Sequence, residues 1–302
     1  MNFNFSYVLQ QPFRLLWKNK RLVLLNLPNS LAGAVFVGIF PLAFVMPFLL
    51  MDGSPFDRLI DDLWPIFALA IGGFIVLTLI TAPLSILTST ALIRGVAALE
   101  AGQTPGGLRT LLCEALPYFW RVAGVTALQA SVGFLFAALP ALLIVLTAGV
   151  AVICLGPLMP FTTPLIFVLS LVGLLAIHII VVEDTSVVNA IKNGWQAFKK
   201  TWLSLILVFL IISQVGGMIL GVLFILPSFG LIPFFIVFAN GDPQTALIPV
   251  SIGIAALGLF MPVMVLGMMV FTTYTQMAMA LLYLEVRKIV PALPYAASAT
   301  TS

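Results

Sequence analysis

Chemistry-bearing side chains are scarce in this chain. One histidine and two cysteines occur in 302 residues, and Asp, Glu, Lys and Arg together supply only 23. A metal centre needs clustered His, Cys or carboxylate ligands, and His178 stands alone, so it reads as a packed or interfacial imidazole. Nucleophilic hydrolysis needs a base beside its nucleophile, which so few ionisable groups do not assemble. Thr104-Pro105-Gly106-Gly107 lacks the Lys-Ser/Thr of a phosphate-binding loop and reads as a turn. The N-terminus is amphipathic and aromatic, without the short apolar region and small-residue cleavage site of a signal peptide. The reading is therefore not an enzyme, with no catalytic residue, no metal site, no cofactor and no nucleic-acid partner.

What fills the chain instead is apolar sequence. Hydrophobic residues make up 62% of it, against roughly 45–50% in soluble domains. Uncharged runs fall at 22–51, 63–93, 122–182, 201–241 and 243–284. A spanning helix needs about 20 mostly apolar residues, and the 122–182 run suffices for two with a turn at "LGPLMPFTTP" (155–164). This predicts an all-α polytopic membrane protein of six spans, at about 23–50, 65–93, 122–154, 162–182, 203–228 and 246–284. The stretch "LPSFGLIP" (226–233) is expected to break helix before Asp242.

Basic residues gather on the cytoplasmic side of membrane proteins. Arg14, Lys18, Lys20 and Arg21 precede the first span; Arg94, Arg109 and Arg121 follow the second; Lys192, Lys199 and Lys200 follow the fourth; Arg287 and Lys288 follow the sixth. Of the 13 basic residues only Arg58 is left over, beside the acidic loop residues Asp52, Asp57, Asp61 and Asp62. Six spans with both termini cytoplasmic fit this distribution, in a bacterial inner membrane. The net charge of +3 then belongs to a rim facing membrane lipids. Cys113 and Cys154 fall on opposite sides, so no disulfide is expected.

The charged segment 181–202, "VVEDTSVVNAIKNGWQAFKKTW", has a helical period. Val187, Val188, Ile191, Trp195, Phe198 and Trp202 share a face, with Lys192, Gln196, Lys199 and Lys200 opposite, and Asp184, Thr185 or Ser186 can cap it. This suits the membrane interface, with Trp195, Phe198 and Trp202 setting depth beside Lys192, Lys199 and Lys200. Two segments resemble it. Phe5, Val8, Leu9, Phe13, Leu16 and Trp17 face away from Arg14 and Lys18; Leu108, Leu111, Leu112, Ala115, Leu116, Phe119 and Trp120 face away from Arg109 and Glu114. Each precedes a span with a proline motif: "VFVGIFP" (35–41), "FLFAALP" (134–140) and "VLFILP" (222–227). We read three repeats of interfacial helix plus transmembrane hairpin, at about 1–101, 102–183 and 184–290, in a single membrane domain (1–290), followed by a flexible tail at 291–302.

The segments "VVEDTSVVNAIKNGWQAFKKTW" and "LIRGVAALEAGQTPGGLRTLL" (92–112) resemble the glycerophosphoryl diester phosphodiesterase membrane-domain family and related uncharacterised six-span bacterial proteins. Glu183, Asn193, Trp195 and Lys199 match that family's acid–small–helix–Trp segment. Its enzymatic name comes from members with a separate soluble catalytic domain, for which 302 residues leave no room, so the resemblance implies a membrane domain without catalysis.

No Asp, Glu, Lys or Arg lies mid-span, which argues against ion-coupled transport. The polar mid-span residues are Gln129, Ser131, Ser213, Gln214 and Gln276, with "FTTYTQ" (271–276). Gln129, Gln214 and Gln276 could line a shared polar seam, or serve as interhelical hydrogen bonds. Gly217 and Gly221, after Gly216, form a small-xxx-small pair of the close-packing kind. Pro28, Pro41, Pro47, Pro83, Pro140, Pro227 and Pro262 are expected to kink their spans. The expectation is a non-catalytic scaffold or accessory protein binding lipid or partner membrane proteins; the alternative is a transporter or channel component for a lipid or apolar solute.

Overall fold

The computed structural model describes residues 3–33, 59–138, 159–240 and 247–290, and among these there is no strand. The helices are α1 (Phe5–Lys18), α2 (Leu59–Glu100), α3 (Leu108–Ala115), α4 (Phe119–Gly133), α5 (Met159–Glu183), α6 (Val187–Asn240) and α7 (Leu247–Ile289). Short 3₁₀ segments, Lys20–Asn26 and Leu116–Tyr118, follow α1 and α3, and a π-turn, Phe134–Ala138, follows α4. Among the described residues, five helical stretches are long and apolar enough to cross a membrane: Ile75–Glu100, Leu108–Phe136, Pro164–Glu183, Val187–Ile219 and Gly258–Ile289. The chain is thus an all-α protein with the build of a multi-pass membrane protein. Most of the expected first span, with Pro41 and Pro47, lies outside the described residues, as do Pro140, Cys154 and the tail.

Several boundaries differ from the sequence expectation. α2 continues past 93 to Glu100 and stops on Gly102, whose φ of +75° favours glycine. There the Gln103 amide donates to the Ala98 carbonyl at 2.9 Å and the Gly102 amide to Leu99 at 3.1 Å. This paired closure satisfies the terminal carbonyls of the helix. α5 begins at Met159, within the expected turn, so Pro160 falls in the first turn, where a missing amide costs little. α6 stays helical through "LPSFGLIP" to Asn240, because membrane helices tolerate proline where other groups take up the freed carbonyls. Asp61 and Asp62 begin α2 rather than sitting in a loop.

α6 is one helix only nominally. Thr201 has φ −129° and ψ 17°, which separates 187–200 from the span that follows. Its hydroxyl donates to the Ala197 carbonyl at 2.9 Å, the back-bonding that bends helices. After α1, Asn19 leaves helical geometry likewise, at φ −123° and ψ 56°; after α3, Leu116–Tyr118 only tightens into a 3₁₀ turn between residues that stay right-handed helical.

Two compact units divide the chain. One holds Met1–Trp17, Ile86–Leu210 and Gln276–Ser302; the other holds Lys18–Ser85 and Ile211–Thr275. In the first, α5 is the most apolar span and half of it is buried, through Leu171, Leu175, Ile179 and Ile180. Segment 187–200 meets it at Gly194, and Ala190, Asn193 and Ala197 of the segment are buried too. A Cβ at Gly194 would stand 3.0 Å from the Val172 carbonyl oxygen and 3.4 Å from the Ala176 amide nitrogen. Only glycine lets the two backbones come so close.

In the second unit, buried Asn26 donates to Thr273 Oγ1 at 2.8 Å, and Thr273 donates to the Met269 carbonyl at 2.7 Å. Two buried polar side chains thus satisfy each other. Of the glycines on α6 here, Gly216 is close-packed: a side chain would collide with the Phe271 ring. Gly217 and Gly221 are exposed, and an added Cβ at either meets nothing within 4 Å. The small-residue contact lies one residue before the expected pair, because consecutive helical residues point about 100° apart.

Candidate functional site

The polar residues of the first unit concentrate where its helices end. Glu183 closes α5, and its carboxylate accepts from the Tyr283 hydroxyl at 2.6 Å. The same oxygen lies 3.4 Å from Arg287 Nε. One turn earlier, His178 is buried, with its ring 5.8 Å from that of Tyr283. Nδ1 lies 2.7 Å from the Leu174 carbonyl. A carbonyl only accepts, so Nδ1 carries the proton. Nε2 is buried with no protein partner.

Beside this stands an arginine pair. Arg94 and Arg121 lie 5.1 and 5.2 Å from the Tyr118 ring centre, within cation–π range. Arg94 donates to the Tyr118 hydroxyl at 2.8 Å and lies 3.7 Å from Glu114. Arg121 pairs with Asp184 at 2.7 Å and donates to the Thr185 carbonyl at 3.2 Å. Asp184 has φ +53°, a conformation aspartate tolerates better than most residues. The Arg121 contacts hold the chain there as it turns from α5 into α6.

The third group ties α1 to the rim. The Tyr7 hydroxyl donates to Glu100. Lys288 Nζ lies 5.2 Å from the Tyr7 ring centre and 2.6 Å from Glu285. Burial first, then the hydrogen bond to Glu100, push the Tyr7 phenol above its ordinary value near 10. In these groups every carboxylate faces a cation or a tyrosine hydroxyl. Among the described residues, no group of three or more His, Cys, Asp or Glu could hold a metal ion. The arrangement clamps helix ends together.

The predicted anchors divide into two faces. Trp17, Trp120, Trp195 and Trp202 are exposed, whereas Phe198 turns inward, its ring stacked 5.9 Å from that of Trp195. Lys192, Lys199 and Lys200 are exposed, and Lys199 Nζ lies 5.3 Å from the Trp195 ring centre. The single apolar face expected for 187–202 is therefore two: a small-residue face against α5 and an outward stripe of Val188, Trp195 and Trp202. α1 divides likewise, burying Val8, Pro12, Leu15 and Leu16 while Phe13 and Trp17 stand out. In 108–120, Leu111 and Ala115 are buried while Leu116 and Trp120 are exposed.

Of the three glutamines, Gln129 lies on α4 and donates to the Ser170 carbonyl of α5 at 3.0 Å. It rests where Gly173 has no side chain; a Cβ there would collide with it. Around this contact opens a cleft of about 130 Å³, walled by Val125, Leu128, Gln129, Ile166, Ser170 and Ile191 and extending to Gly133. Gln276, in the same unit, is half-buried, and Gln214, in the other, is exposed. Sequence reading passed over Tyr7, Tyr118 and Tyr283. Their common signal is a phenol close in sequence to basic residues at a span boundary.

No protein-family model matches the chain, and neither a curated protein nor a solved structure matches it significantly.

Proposed function

We propose that this is a non-catalytic, six-span protein of the bacterial cytoplasmic membrane, with both termini inside. Its role is that of a scaffold or accessory component that binds lipid or partner membrane proteins. The observation that carries this reading is the outward stripe of Val188, Trp195 and Trp202 beside exposed Lys192, Lys199 and Lys200. An aromatic stripe edged with lysines suits an interface between acyl chains and headgroups. Helix breaks at Asn19 and Thr201, and the 3₁₀ turn at Leu116–Tyr118 between them, support three repeated units, each an interfacial helix leading into a hairpin. The resemblance to the phosphodiesterase membrane-domain family supports the same placement, without its catalysis.

The test is affinity capture from solubilised membranes with quantitative mass spectrometry. The wild type should retain specific membrane proteins that a Trp195→Ala/Lys199→Gln/Trp202→Ala variant loses. Equal recovery by both would remove this stripe from the function. The alternative, passage of a lipid or apolar solute, draws on the cleft beside Gln129. Solute flux into proteoliposomes would favour it.

A further inference from the structure

We infer that the cleft between α4 and α5 is a binding site for one anionic phospholipid, with an acyl chain in the cleft and the headgroup at the lysines of 187–200. This rests on the membrane reading above and names the lipid class and its site.

The cleft is apolar apart from Gln129 and Ser170. The Gln129 amide already donates to the Ser170 carbonyl, so the cleft offers hydrocarbon contact rather than a demand for a polar ligand. It lies within stretches apolar enough to cross a membrane, and Leu128 in its wall is 52% exposed. A bilayer therefore presents it with acyl chains.

Ile191 connects the cleft to a charged surface. It lines the cleft and lies on the same helical face as the exposed Val188 and Trp195, at spacings of three and four. Lys199 is held over Trp195 at 5.3 Å, and Lys192 follows Ile191 directly. These cations are available. Arg94, Arg121, Arg287 and Lys288 each pair with a carboxylate. Among the described residues, no carboxylate lies within ion-pair distance of Lys192, Lys199 or Lys200. An acyl slot that leads onto unneutralised lysines complements a lipid with a negative headgroup. α1 also carries exposed Arg14 and Lys18, but the cleft beside Gln129 is lined by Ile191 of the 187–200 segment.

Gly133 gives a direct test. It lines the cleft, and a Cβ added there meets nothing within 4 Å, so the Gly133→Leu side chain starts from open space at the cleft. The full-length protein is equilibrated with equal phosphatidylglycerol and phosphatidylcholine and examined by native mass spectrometry. The wild type should keep one phosphatidylglycerol in preference to phosphatidylcholine. Gly133→Leu should lose that lipid about tenfold at an unchanged melting temperature. Lys192→Gln/Lys199→Gln, on an exposed surface that does not carry the fold, should keep a lipid but lose the headgroup preference, at about fivefold per lysine. Retention of phosphatidylglycerol by a folded Gly133→Leu protein overturns the site. A wild type without headgroup preference, or a lysine variant that keeps it, overturns the assignment of an anionic ligand. Thiol labelling of Lys192→Cys in intact and opened membranes reports the membrane reading separately, so its failure is distinguishable from failure of the lipid site.

Discussion

The Tyr283 hydroxyl and the Glu183 carboxylate, 2.6 Å apart, join the last turn of α5 to the end of α7 across 100 residues of sequence. Arg287 reaches the same carboxylate oxygen from the next turn. The Glu183 side chain is only 14% exposed, whereas that of Arg287 is 53% exposed. Tyr283→Phe removes the donor from a largely buried acceptor and should cost about 1–3 kcal/mol. Arg287→Gln removes a partner that water replaces and should cost no more than about 1 kcal/mol. Thermal unfolding of the purified variants checks the order. Arg287→Gln proving the more damaging would mean that charge, not the phenol, holds Glu183.

The approach of α6 to α5 depends on Gly194. Its added Cβ would meet backbone atoms of Val172 and Ala176, which cannot swing aside as a flexible side-chain tip would. Gly194→Ala should therefore destabilise the protein by about 1–3 kcal/mol. Gly217→Ala meets nothing within 4 Å and should be neutral or stabilising by up to about 1 kcal/mol, since alanine favours helix over glycine. Melting temperatures of the two variants should move in opposite directions, or only the first should move.

Tyr7 predicts a pH dependence. Its folded-state pKa lies above the unfolded value near 10, so folding favours the protonated phenol. The stability it contributes is complete below pH 10 and is lost as pH rises beyond that toward the folded pKa. Tyr7→Phe should be less stable than wild type at neutral pH, where the contact with Glu100 is missing. The gap should narrow as pH rises above 10. Melting curves from pH 8 upward measure it, and a constant gap would assign the loss to packing alone.

The all-helical, multi-span build was legible in the sequence because span length and apolar composition impose it directly. α7 lies close to its expected range, and the segment 187–200, expected to be interfacial, ends at Thr201, just before Trp202, the last residue of its expected face. Helix ends were less legible. Gly102 after Glu100 is a helix-stop signal, but a charge at Arg94 suggested an earlier boundary. Faces were least legible. Periodicity groups Phe198 with Trp195 and Trp202, yet packing buries the first and leaves the other two exposed. A chain in lipid has two apolar surroundings, protein and acyl chain, and hydrophobicity alone does not separate them. The tyrosine clamps were hidden because their partners, Tyr7 with Glu100 and Tyr283 with Glu183, are some 100 residues apart.

Cys113 supplies a native reporter of orientation. It is exposed on α3, between the second and third expected spans. With six spans and both termini inside, an even number of crossings precedes it, so it faces the cytoplasm together with Lys192. A membrane-impermeant maleimide added to intact cells carrying Cys154→Ser should leave Cys113 unmodified. The same reagent applied to inside-out vesicles should modify it to completion within minutes, as exposure on a short helix allows. Lys192→Cys in a Cys113→Ser/Cys154→Ser background should follow the same pattern, because two further spans separate the positions. Labelling of Cys113 from outside would reverse the rim. Opposite behaviour of the two positions would instead require an odd number of crossings between 113 and 192, which breaks the two-span repeat.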